Sequence, residues 1–215
     1  MWEAIISGVT LGCILALSVG PVIFTVIKQS LTNGYVGGFS FVTGVWVSDL
    51  VLIVVSNGFS SLVTTLLEYK HVIGYVGSSF LVITGIYYLF FKKVSISANC
   101  DDVSKFSKKT MMKIFSSGFL INTLNPSVLI FWLGAATAFS AKYNFQERII
   151  IFSVCLLVNI AADSAKVLLA GKLRKRLTLN TLSVVNKVSG IILVGFGIAL
   201  LYGTIFYANQ ILNQH

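Results

Sequence analysis

Proline is almost missing from this chain: among 215 residues only Pro21 and Pro126 occur, and both sit inside long apolar runs. Histidine is as scarce, with His71 and His215 alone, and the three cysteines (Cys13, Cys100 and Cys155) form no CxxC pair and no His/Cys cluster. A thiol-redox carrier and a zinc protease therefore lack their characteristic residues, and neither an HExxH motif nor a nucleophile–base pair marks a membrane-embedded enzyme. The cysteines read as two packed in spans and one in a loop. Charge is also thin, at 11% of residues against 56% hydrophobic, with a mean hydropathy of +0.88. That balance is too apolar for a soluble domain. Grouping of the apolar residues into long blocks argues against a lipid carrier or an aggregation-prone fragment.

Six such blocks approach the roughly 20 residues a membrane span needs. They cover residues 3–27, 36–58, 71–91, 115–138, 148–170 and 186–207. Each is too long for a strand and lacks two-residue alternation, so each reads as a helix. The expected fold is an all-α membrane protein of six transmembrane helices. The first block begins Met1-Trp2-Glu3 without a basic segment, exceeds a signal-peptide core in length, and is followed at once by a second block, so it reads as a retained span.

A formal net charge of +9 invites a nucleic-acid reading, which the distribution of charge argues against. Lys28, the 92–114 connection and the connection after the fifth block together hold 12 basic residues, whereas the opposite connections hold three, Lys70, Lys142 and Arg148. Basic loops face the cytoplasm, so both termini are expected outside and the excess positive charge is a topology signal with contacts to membrane lipids, not nucleic acid. Tyr87, Tyr88, Phe90 and Phe91, just before Lys92, fit an aromatic belt at that interface.

The polar stretch "SANCDDVSKFSKK" lies in the one seam, residues 92–114. It divides the chain into residues 1–91 and 115–215, with three spans each. An odd number of spans per half sets the second half running in the opposite sense. Each half has a proline in its first span and an aspartate in its second, Asp49 and Asp163. Two inverted three-helix repeats with proline-broken first and fourth helices point to a secondary transporter with its site between the halves.

Proline inside a helix removes its own N–H and displaces the carbonyl four residues back. Pro21 is thus expected to free the carbonyl of Leu17, and Pro126 that of Asn122. Ser18, Gly20, Asn122, Thr123 and Asn125 are small or polar neighbours, and the breaks would aim half-helix ends at a charged or zwitterionic solute. Plain structural kinks are the alternative.

Asp49 lies about 13 residues into its span, roughly 20 Å along a helix. A carboxylate at such depth opposes insertion by at least about 2.5–3.5 kcal/mol, which makes ion or substrate binding its default role. It can exchange a proton for a cationic group. Asn159, Asp163 and Lys166 form one polar stripe on the fifth span; Lys166 can pair with Asp163 or reach the interface. Gly8, Gly12, Ala16 and Gly20 recur along one face of the first span, and Gly34 and Gly38 open the second, as helix-packing surfaces that also suit a homodimer. Trp46, three residues before Asp49, could wall a substrate pocket or pack in the core; Trp132 has no distinct reading.

Together these residues resemble the lysine-exporter (LysE/RhtB) superfamily of bacterial amino-acid exporters. The resemblance runs through the small-residue first helix ending in Gly20-Pro21, "GYVGGFSFVTGVWVSDL" with Asp49, "INTLNPSVLIFW", and "AADSAK" with Asp163, covering nearly the whole chain in order. Two positions depart from the family pattern: Val19 stands where a first proline is frequent, and Ser127 where a lysine often follows Asn-Pro. The resemblance implies export of amino acids or related small cationic or zwitterionic solutes across the bacterial inner membrane, coupled to protons, without a cofactor. In that scheme Asp49 and Asp163 bind the ammonium group and cycle protons, while the Gly20-Pro21 and Asn125-Pro126 breaks bind the carboxylate and act as hinges. Divalent-metal export is the alternative within transporters, opposed by the shortage of intramembrane ligands. A non-catalytic membrane assembly subunit is the alternative outside them.

Overall fold

The computed structural model describes residues 1–18, 20–58, 70–91, 107–174 and 179–212. Every regular element among them is helical. The helices are α1 (Trp2–Leu17), α2 (Pro21–Gly58), α3 (Lys70–Ile86, continued by a π-helical turn Tyr87–Phe91), α4 (Lys108–Thr123), α5 (Pro126–Ser140), α6 (Phe145–Arg174) and α7 (Leu179–Leu212). Residues 92–106 of the expected linker, including Cys100, lie outside the described residues, and its last part already belongs to α4.

The prolines start helices instead of damaging them. α1 stops at Leu17, Ser18 is extended (φ −61°, ψ 119°) and Pro21 is the first residue of α2. Likewise α4 stops at Thr123, and α5 opens at Pro126 after Asn125, whose side chain accepts from the Ser127 N–H at 3.1 Å. A proline at the first helical position lacks only a donor that would be unpaired there anyway. The carbonyl of Asn122, expected to be freed, accepts from the Asn125 N–H at 3.1 Å. The chain therefore breaks before each proline, and α4 and α5 meet at 60°.

A second difference concerns the first two blocks. The end of the first and all of the second lie in α2, interrupted only at Gly34 (φ 67°, ψ −165°). That backbone region is essentially open to glycine alone, so Gly34 is needed for conformation and not only for packing.

Among the described residues three helices are long and apolar enough to cross a membrane: α2, Phe145–Lys172 of α6 and Lys187–Phe206 of α7. The bent pair α4–α5 makes a fourth, while α1 and Gly74–Phe90 are shorter apolar helices. Large apolar side chains lie exposed on the outer faces, among them Leu50, Val54, Ile83, Leu157, Ile191 and Ile198, as a lipid-facing surface requires and a water-facing one rarely shows. The chain is a multi-pass α-helical membrane protein.

Packing is set by close backbone approach. α1 lies on α6, where a Cβ on Gly8 or Gly12 would come within 2.6–2.8 Å of Ile151, Val154 or Val158. α2 packs on α4 through Gly44 and Gly118, and α2 also packs on α6. α3 pairs with α7 through Gly85, Gly190 and Gly197. Cys155 is buried in the core, whereas Cys13, expected to pack within its span, is exposed on α1.

Candidate functional site

Asp49 is 1% exposed, in the second segment of α2, and three neutral donors surround it. Oδ1 accepts from Asn122 Nδ2 at 2.8 Å and from Trp132 Nε1 at 3.0 Å; Oδ2 accepts from Asn159 Nδ2 at 3.2 Å. The donors come from α4, α5 and α6, so four helices converge on one carboxylate. Asn122 Nδ2 is also 3.1 Å from Ser48 Oγ, which shares a hydrogen bond with Thr123 Oγ1 at 2.7 Å. Among the described residues Asp49 forms no ion pair.

Asp163 differs. Its Oδ1 receives the Lys166 ammonium at 2.9 Å and its Oδ2 the Trp46 indole N–H at 3.2 Å. Helical spacing puts Asn159, Asp163 and Lys166 on one face of α6, and that face turns inward. Trp46 therefore holds Asp163 and does not wall the cavity.

Beside Asp49 is a small cavity of about 50 Å³. Ser18, Gly20, Asp49, Asn122, Asn125, Asn159, Asp163 and Lys166, all singled out in the sequence, line it with a few apolar neighbours. It has room for a few waters and not for a whole amino acid, so binding one requires the helices around it to part. Pro21 and Pro126 open the adjoining helices, and Trp46 bonds to Asp163 in the cavity wall. Among the described residues no group of three His, Cys, Asp or Glu side chains is placed to hold a metal ion.

The sequence of the LysE type translocator family matches residues 13–204. This chain belongs to the LysE type translocators. A relative from Bacillus subtilis (strain 168), named "Putative amino acid efflux protein YcgF", is 28% identical over 197 residues, covering 89% of this chain and 92% of that protein. No solved structure matches.

Two features of this translocator escape a reading of its sequence. Trp132, fully buried among Val128, Ala136 and Phe152, donates to Asp49; a single indole in an apolar run carries no periodic signal of that role. The only available hint is its place two turns beyond the Asn-Pro break. Lys28, expected among the basic loops, lies inside α2, is 0% exposed and sets its ammonium against the ring of Tyr88. Tyr88 in turn is 5% exposed and packed against Leu81 and Leu193, so of the expected aromatic belt Tyr87 and Phe90 face outward and Tyr88 does not.

Proposed function

We propose that this translocator exports amino acids, or related small zwitterionic or cationic solutes, in exchange for protons. The observation that carries the reading is Asp49: a buried carboxylate, held by three neutral donors and no cation, in the wall of a small central cavity. Neutral donors orient the carboxylate without neutralising it, which leaves its charge to be met by a proton or by a substrate ammonium in turn. Mutual exclusion of the two at one carboxylate couples them. Asp163 already has Lys166, so its part is to orient that lysine and complete the polar wall. The N-terminal ends of α2 and α5, with Ser18 and Asn125 beside them, present the positive ends of helix dipoles to the substrate carboxylate. The name of the Bacillus subtilis relative supports amino-acid efflux as the activity.

Alternating access follows from an inverted repeat, residues 1–91 and 115–215 about the 92–114 linker. Its support is the pairing of helices: α1 packs on α6 as α4 packs on α2, and α3 and α7 pack on each other. Each half has a helix that stops just before a proline-led second helix. In this reading the six spans are α1 with the start of α2, the part of α2 after Gly34, α3, the bent pair α4–α5, α6 and α7. With Lys28 buried, 11 basic residues remain on the side of the linker against three opposite, which favours extracytoplasmic termini in the bacterial inner membrane.

Asp49→Asn tests the assignment. The amide oxygen can keep the bonds from Asn122 and Trp132, and Asn159 can rotate to present its own carbonyl, so the fold is expected to survive. Proton-gradient-driven transport in liposomes should vanish while elution and helicity stay as in the parent. Coupled efflux at the parental rate would refute the role given to Asp49.

A further inference from the structure

A second, larger opening lies further along the same helices. Its volume is about 850 Å³, and it is bounded by the first segment of α2, by α3 and by α4. Its walls are largely apolar, with Phe80, Met112, Ile114 and Leu120, and carry the polar and basic side chains of Gln29, Asn33, Lys109, Lys113 and Ser117; among the described residues no acidic side chain lines it. We propose that this cleft is the cytoplasmic access subsite of the translocator, that Lys109 and Lys113 receive the substrate carboxylate there, and that Tyr88 gates passage to the Asp49 cavity. The inference rests on the exporter reading for the nature of the substrate, and on geometry for the route.

The route is defined by two helices that line both spaces. On α2, Ile23 borders the central cavity and Gln29 the cleft; six residues of helix are about 9 Å. On α4, Asn122 borders the central cavity and Ser117 the cleft, about 7.5 Å apart along the axis. The intervening layer contains Val26 and Ile121, both 0% exposed and in one core cluster, with Lys28 buried beside them on α2.

Tyr88 is the side chain at the junction. Its ring meets the Lys28 ammonium, and its hydroxyl interacts with Gln29 of α2 and Ser117 of α4. One residue of α3 thus fastens the other two walls. It lies in the π-helical turn Tyr87–Phe91, a rare geometry concentrated at functional sites. A π turn holds about one residue more than an α turn, so converting it to α shifts the residues within it, Tyr88 among them, around the helix relative to the turns before it. Such a shift would release the hydroxyl from Gln29 and Ser117 and uncover Lys28 as the next cation on the path. A zwitterion held by its carboxylate at Lys113 enters with its ammonium free for Asp49.

Thiol accessibility tests the route in the full-length protein lacking its own cysteines (C13S, C100S, C155A). Thr84→Cys, in the cleft, should react with an impermeant sulfonate-bearing methanethiosulfonate from the basic side, and Val22→Cys, at the central cavity, should be protected. Tyr88→Ala should raise the Val22→Cys rate at least tenfold, and the milder Tyr88→Phe, which keeps the ring and loses the hydroxyl, should raise it by a smaller factor. In transport, Lys113→Gln should raise KM roughly threefold to tenfold at unchanged maximal rate. Unreactive Thr84→Cys, a Val22→Cys rate indifferent to both Tyr88 variants, or an unchanged KM would overturn the proposal. Failure of the exporter reading would look different: the parent would release no amino acid, and the thiol rates would still decide whether cleft and gate exist.

Discussion

Gly118→Ala should damage the site from a distance, because packing and hydrogen bonding share one register on α2 and α4. A Cβ on Gly118 would fall on the Phe41 carbonyl of α2, far inside the 3.0 Å that Cβ atoms keep, and 3.0 Å from its carbonyl carbon. Backbone cannot turn aside as a side-chain tip can, so the helices must separate by about 1 Å. One turn beyond Gly118 is Asn122, and one turn beyond Gly44 is Ser48, next to Asp49. A 1 Å separation stretches the 2.8 Å Asn122–Asp49 bond to ~3.8 Å, beyond hydrogen-bond range. Overpacking costs about 1–3 kcal/mol and the lost bond to a carboxylate about 1.5–3 kcal/mol, giving a loss of about 2.5–6 kcal/mol. Reversible unfolding in detergent, followed by helicity, measures it. Gly195→Ala is the control: it is exposed, nothing lies within 4 Å of its added Cβ, and helix propensity makes it neutral or stabilising by about 0.5–1 kcal/mol. Gly118→Ala with the stability of Gly195→Ala would show that α2 and α4 do not meet as described.

Gly34→Ala forces a side chain into a backbone region with φ 67° and should destabilise by about 1–3 kcal/mol in the same unfolding assay; parental stability would mean that α2 is continuous there. Trp132→Phe keeps an aromatic ring in its pocket but removes one of the donors to Asp49. Substrate release should fall about tenfold or more with a cooperative unfolding transition retained, and undiminished release would reduce Trp132 to packing.

Much of this site was legible in the sequence because a charge or amide in an apolar run is conspicuous. Asp49, Asn122, Asn159 and Asp163 announce themselves against their neighbours, and three- and four-residue spacing predicts that Asn159, Asp163 and Lys166 share a face. Direction of bonding was not legible. Trp46 and Trp132 look alike in the chain, and only the packing of α5 and α6 decides that one serves Asp163 and the other Asp49. The prolines misled for a local reason: an apolar run crossing a break looks like one helix, since apolarity reports the membrane and not the hydrogen-bond ladder. Asn125 before Pro126 is a helix-start pair, and its capping bond to the Ser127 N–H is the feature the hydropathy pattern conceals. Lys28 misled through its place at the end of an apolar block, where lysines usually mark water. Its burial depends on Tyr88, 60 residues away, which no local pattern can report.

The central claim, coupled export of amino acids, is tested most directly by release from liposomes. Purified protein is reconstituted in vesicles loaded with a mixture of the common amino acids, and each is followed by mass spectrometry with and without an imposed pH gradient. Gradient-dependent loss of one or a few amino acids, abolished in Asp49→Asn, is the predicted result. Retention of all of them by folded, inserted protein, whatever the gradient, would contradict the account.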